Sequence, residues 1–165
     1  MNRGFTLIEV LLYVVITTIV LVSVSAFLSL LMAARAKDQV INEVEAQGFS
    51  AMQIIEQDTR NALSINSPAT STNASMLSLA VAAGANNPTI FGVQNGVLGI
   101  KEGTAATTTL TNSRVTVSNF TIQNLSSANG TGTVRIQFTL SSASPSSRYE
   151  FTYSKTFTGS ATVRR

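Results

Sequence analysis

Between Val10 and Ala34 the chain reads VLLYVVITTIVLVSVSAFLSLLMAA, with no charged residue, no proline and no glycine. A helix needs about 20 apolar residues to cross a hydrocarbon core of roughly 30 Å, and this run exceeds that length. The apolar region of a cleaved secretory signal is shorter, roughly 7 to 15 residues, and ends at a small-residue cut site before a polar chain. The run is too long for that, so a single membrane-spanning helix is expected. It also accounts for the composition. Of the 165 residues 44% are apolar and only 12% are charged, because the apolar residues are concentrated here and the rest is rich in Ser and Thr. The length allows one ordinary domain plus this extra element.

With neither Cys nor His, the chain has no thiolate, no imidazole base, no disulfide framework and no ordinary zinc site. It also lacks a Gly-rich phosphate loop ending in Lys-Ser/Thr, a Gly-x-Ser-x-Gly elbow and a His-Glu-x-x-His pair. An enzyme is not expected, nor a cofactor, nor a metal site. The formal charge is +3, and its distribution matters more than its sum. Lys101, Arg114, Arg135, Arg148, Lys155, Arg164 and Arg165 face only Glu102 and Glu150 in the distal half. No basic cluster is interleaved with aromatics, so this mild excess reads as a solubilising face. Its alternative use is capture of DNA or of a surface by a cationic head.

Glu9 stands among Phe5, Thr6, Leu7, Ile8 and Val10. A carboxylate deep in a bilayer costs about 2.5 to 3.5 kcal/mol on insertion scales and needs a partner. Arg3 lies beyond Gly4, and Arg35 lies roughly 39 Å along a helix rising about 1.5 Å per residue. The cation is therefore expected from another molecule or from a newly made N-terminus.

Met1-Asn2-Arg3-Gly4-Phe5-Thr6-Leu7-Ile8-Glu9 resembles the processing signal of type IV prepilins and type II secretion pseudopilins: a short basic leader ending in Gly, then Phe-Thr-Leu-Ile-Glu opening a long apolar helix. The resemblance implies that a prepilin peptidase cuts between Gly4 and Phe5 and methylates the new amine of Phe5. It also implies that Glu9 meets the N-terminal amine of a neighbouring subunit during assembly. Arg3 on the cytoplasmic flank suits a single-pass, N-in/C-out orientation in a bacterial cytoplasmic membrane, with later transfer to an extracytoplasmic filament.

The helical pattern continues past the apolar run. Ile41, Val44, Gly48, Met52, Ile55, Thr59 and Ala62 recur at steps of three or four, with Asp38, Asn42, Glu45, Gln53, Glu56 and Arg60 on other faces. One helix from about Thr6 to about Leu63, roughly 87 Å long, is predicted. Glu56 and Arg60 are spaced as a solvated i,i+4 pair. Gly48 marks a close approach or a weak point. Met52 to Asn61 looks like the helix of minor pilins of the J type. The chain lacks the membrane-helix Pro and the C-terminal Cys pair of many major pilins, and the Asp-rich calcium loop of major pseudopilins, which leans towards a minor subunit.

Asn66 to Ser75 reads as a loop. Alternation of period two then marks strands at Leu77, Leu79 and Val81; at Val134, Ile136, Phe138 and Leu140; and at Tyr149, Phe151 and Tyr153. Asn95-Gly96 is a type I′ hairpin signal, and the phase change at Ser118-Asn119 suggests a bulge. A final hairpin is expected across Ser141 to Ser147. The expected fold is α+β and pilin-like, a long N-terminal helix packed on an antiparallel sheet. Its parts are a leader at 1–4, a membrane or filament-core helix at 5–34, an amphipathic continuation at 35–65 and a head at 66–165. The expected function is that of a structural minor pilin or pseudopilin of a pilus, secretion or competence filament. Its partners would be prepilin peptidase, other pilin subunits and the membrane, with nucleic acid the weaker candidate.

Overall fold

The computed structural model describes residues 6–127, 132–144 and 148–164. Helix α1 spans Leu7–Asn61, 55 residues without a break, or about 82 Å. It stops just short of Leu63 because the sheet takes over the backbone. Ala62 is extended, at φ −69° and ψ 155°, and the Leu63 N–H donates to the Ala80 carbonyl at 2.7 Å. The first half of α1 lies outside the core of the described residues, and its large apolar residues from Leu7 to Met32 are exposed. Burial begins at Val44 and follows the stripe Val44, Gly48, Ala51, Met52, Ile55 and Thr59, the three-and-four spacing expected of an amphipathic helix.

The head holds two antiparallel sheets where a single one was expected. The first is built from β1 (Ser64–Ser67), β3 (Met76–Ala80), β4 (Thr89–Gln94), β5 (Val97–Glu102) and β6 (Thr108–Thr109), in the order β1-β3-β4-β5-β6. The second joins β2 (Asn73–Ala74), β7 (Val115–Asn124), β8 (Thr133–Ser142) and β9 (Ser154–Thr162), in the order β2-β7-β8-β9. The supposed loop at 66–75 thus contributes the end of β1 and all of β2, which pairs Asn73 with Gln123 and Ala74 with Ile122. β2 covers one edge of β7 only at Ile122 and Gln123; farther along, the Val117 N–H donates to Gly96 O in the β4–β5 turn at 2.7 Å and ties the two sheets together.

Both positions of the Asn95-Gly96 turn have positive φ, 52° and 76°, as a type I′ turn requires. The register of β7 on β8 shifts between Ser118 and Thr121, where Asn119 has φ 52°. The predicted bulge is therefore real. Leu77, Leu79, Phe91 and Leu98 from the first sheet and Val134, Ile136, Phe138 and Leu140 from the second are fully buried with Val44, Ala51 and Ile55 of α1.

Tyr149, Phe151 and Tyr153 do not form a strand. Tyr149–Phe151 is a short 3-10 turn, and Tyr149 is 79% exposed. The last strand is β9 instead, whose inward residues are Lys155, Phe157, Gly159 and Ala161. Two of these are small, and at Gly159 α1 lies close. A Cβ added to Gly159 would meet Met52 Sδ at 2.6 Å, and one added to Gly48 would stand 2.6 Å from Phe157 Cε1 and nearer still to Cε2 and Cζ. Gly48 therefore marks a close approach. Over it runs a row of rings. Phe120 and Phe138 have centroids 6.4 Å apart, Phe138 stacks on Phe157 at 5.5 Å, and Phe157 meets Phe49 edge-on at 5.5 Å.

Candidate functional site

Glu9 lies in the first turn of α1, where the unpaired N–H groups of a helix start favour a negative charge by about 0.3 to 1 kcal/mol. Thr6 caps the helix through its backbone alone: its carbonyl accepts from Glu9 N–H at 3.1 Å and from Val10 N–H at 3.2 Å. The Glu9 carboxylate is partly exposed. One of its oxygens accepts a hydrogen bond from the Tyr13 hydroxyl, 3.3 Å away. That contact was missed in the sequence although the i,i+4 spacing announces it, Tyr13 being the one ring-borne hydroxyl in an aliphatic stretch. Tyr13 supplies a neutral donor, not a countercharge. No described residue brings a cation to Glu9, and Arg3, Gly4 and Phe5 lie outside the described residues.

The rest of the segment suits an apolar surrounding. Leu7, Ile8, Leu11 and Leu12 are each more than half exposed, a continuous apolar surface that water would penalise. Three of the hydroxyls within it are turned back onto the helix: Thr18 to Val14 O at 2.8 Å, Ser23 to Ile19 O at 2.9 Å and Ser29 to Ala26 O at 2.9 Å. Bonded in this way they need no water in a hydrocarbon core.

Where α1 leaves that segment, polar contacts fix the head to it. Lys37 Nζ donates to the carbonyls of Tyr149 at 3.1 Å and Thr152 at 2.5 Å and lies 4.2 Å from the Tyr149 ring centre. Lys37 thereby holds to α1 a 149–153 turn that also has its own bonds, from Phe151 N–H to Arg148 O and from Thr152 N–H to Tyr149 O. Glu43 accepts from Gln47 and from Asn112 Nδ2, each at 2.7 Å, which holds its carboxyl below the usual range. Glu45 accepts from Lys155 at 2.6 Å and from Tyr153 at 3.2 Å. The Lys155 bond lowers the Glu45 carboxyl and raises the Lys155 ammonium. Asp58 is pushed up by burial and by the nearby Glu102. Among the described residues no three His, Cys, Asp or Glu side chains converge as a metal cradle would need.

Several of the cations counted in the sequence are engaged in ion pairs: Arg60 with Glu56 at 2.5 Å, Arg114 with Glu43 at 3.9 Å, Lys155 with Glu45, and Arg148 with Glu150. The aromatics that alternate along the distal half are divided, with Phe138 in the core, Tyr149 outside, and Phe151 and Tyr153 half-buried at the α1 contact.

Residues 1–25 match the family model described as the prokaryotic N-terminal methylation motif. The chain carries a type IV prepilin or pseudopilin N-terminus. No curated protein and no solved structure matches the chain. The prepilin family is structural, and its motif implies processing by prepilin peptidase and assembly with other pilins. A helix this apolar and this long is of the kind that crosses a membrane, and the α+β fold, one long helix against antiparallel sheets, is pilin-like.

Proposed function

We propose that this prepilin is a minor pilin or pseudopilin subunit, anchored N-in/C-out and drawn from the membrane into a filament that works in a pilus, a secretion system or competence. In this reading the peptidase cuts between Gly4 and Phe5 and methylates Phe5. Glu9 then docks on the N-terminal amine of a neighbouring subunit. The observation that carries the reading is a carboxylate at the start of an exposed apolar helix, given a hydrogen bond by the Tyr13 hydroxyl and a countercharge by none of the described residues. Such a group gains a full countercharge only when another chain arrives. Removing one member of a buried pair typically costs about 3 to 5 kcal/mol, enough to select one packing register.

The test has two parts. Mass spectrometry of the mature chain should find a methylated Phe5 at its N-terminus, and a chain beginning at Met1 or Asn2 would overturn the processing claim. Glu9→Ala and Glu9→Gln should both leave membrane insertion and cleavage intact and reduce incorporation into filaments. Normal incorporation of either variant would remove the proposed pairing.

A further inference from the structure

The second sheet ends unequally. At one edge β2 is two residues long, whereas at the other β9 runs for nine residues with β8 as its only strand partner among the described residues. The hydrogen-bond phase of β9 follows from two bonds just past its ends, Val163 N–H to Gly132 O at 2.8 Å and Ser142 N–H to Tyr153 O at 2.9 Å. Bonded and non-bonded pairs alternate along an antiparallel ladder. The odd-numbered residues of β9 therefore bond to β8. The even-numbered ones, Ser154, Thr156, Thr158, Ser160 and Thr162, turn their N–H and C=O groups to the open edge, and all five are exposed. Edges are commonly blunted by brevity, a bulge, a proline or an inward-pointing charge. Of these β9 has only Lys155, which sits near its start and is neutralised by Glu45 of α1 at 2.6 Å. From Thr156 to Thr162 the edge carries no charge, and its register on β8 is continuous from Ser154 to Thr162.

A second observation lies beside that edge. The ring row continues past β9 to Phe49, which is 58% exposed and is the large exposed apolar side chain of the helix's head half. An added strand would set one inward side chain on this ring. On the outer face Ser160 is the register partner of Arg135, so a carboxylate opposite Ser160 would be within reach of that guanidinium.

We propose that β9 accepts, antiparallel, an extended segment of a different protein chain, with an apolar residue opposite Phe157 and an acidic one opposite Ser160. Backbone bonds would supply the affinity, and Phe49 and Arg135 the register, the pattern of strand addition in general. A second copy is the wrong occupant. Antiparallel pairing of β9 with itself needs a two-fold axis normal to the sheet, which reverses every direction lying along the sheet, including that of α1. Two chains related in this way could not enter one membrane with the same orientation. That exclusion, and no other part of the argument, rests on the membrane-anchored reading.

The probe is a blocked nine-residue peptide in which outward threonines alternate with inward valines and one outward glutamate falls opposite Ser160. It is titrated against the purified full chain in detergent micelles, a measurement independent of Phe5 methylation and of Glu9. Binding should slow hydrogen exchange at the amides of Thr156, Thr158 and Ser160. Thr158→Pro should weaken binding by about tenfold or more with melting unchanged, since that N–H has no partner in the sheet, whereas Thr158→Val should bind as the parent does. A peptide N-methylated on the edge facing β9 should fail to bind the unaltered chain, whatever Thr158→Pro does to folding. Absence of binding, equal binding by the N-methylated peptide, or self-association of the chain that Thr158→Pro abolishes would each overturn the proposal.

Discussion

Gly48→Ala sets two well-measured effects against each other. In an exposed helix interior the change would gain about 1 kcal/mol of helix propensity. Here the new methyl would stand 2.6 Å or less from three carbon atoms of the Phe157 ring, about 1 Å or more inside an ordinary carbon contact of about 3.5 to 4.0 Å. The ring cannot simply slide away, because it is 5% exposed and held between Phe138 on one side and Phe49 on the other. Overpacking of this kind costs about 1 to 3 kcal/mol, occasionally more. The net expectation is a loss of up to about 2 kcal/mol, or up to about 8 °C in Tm for a chain of this size. Thermal melting of the full chain in detergent, followed by circular dichroism in the β region, measures it. In a Phe157→Leu background the obstacle is reduced, and the same Gly48→Ala change should become neutral or stabilising. A rise in Tm for Gly48→Ala alone, or equal losses in both backgrounds, would refute the close-approach argument.

Three further outcomes follow from the head. Gly96→Ala should cost about 1 to 2 kcal/mol, since φ is 76° there and a Cβ would also press on Thr116 Cγ2 at 2.8 Å; an unchanged denaturation midpoint would contradict it. Glu45 is depressed and Lys155 raised, so their contribution is lost as pH falls through the folded value of the first or rises through that of the second. The Tm difference between the parent and Lys155→Met should therefore be widest between pH 4.5 and 10.5, the unperturbed values, and a flat difference across pH would count against the pair. Asp58 is raised, chiefly by burial, so its ionisation costs stability as pH climbs from 3.8 through the folded value, and it sits near the negative end of α1. Asp58→Asn should stabilise at pH 7, about 0.3 to 1 kcal/mol coming from the helix end alone, with the gain due to ionisation gone below pH 3.8; destabilisation at neutral pH would refute this.

The elements legible in the sequence were those whose burial is local. The α1 stripe from Val44 to Thr59, the alternation of β8 and the Asn95-Gly96 turn each follow from a few neighbouring side chains. The pairing of strands does not, because alternation states which face of a strand is buried and not which strand lies beside it, and so two sheets looked like one. β9 escaped notice because Gly159 and Ala161, inward but small, carry little apolar signal; at Gly159 the small residue makes room for α1. Conversely, Tyr149, Phe151 and Tyr153 alternate like a strand, yet they form a turn whose carbonyls bond to Lys37, 112 residues away from Tyr149. At the N-terminus the motif was plain, and the Tyr13 hydroxyl beside Glu9 was readable from spacing.

α1 is also a strut. It runs from the apolar segment to the core of the head with no proline and a single glycine, and a rod of this kind passes an axial pull at its lower end to the head with little loss. The glycine is where such a rod would be expected to buckle, but Gly48 is buried beneath Phe157 and splinted by the sheet. Under load the bending is displaced downward, into the bare stretch below Lys37 that no strand touches, and the head is carried as a rigid weight on a spring located outside it.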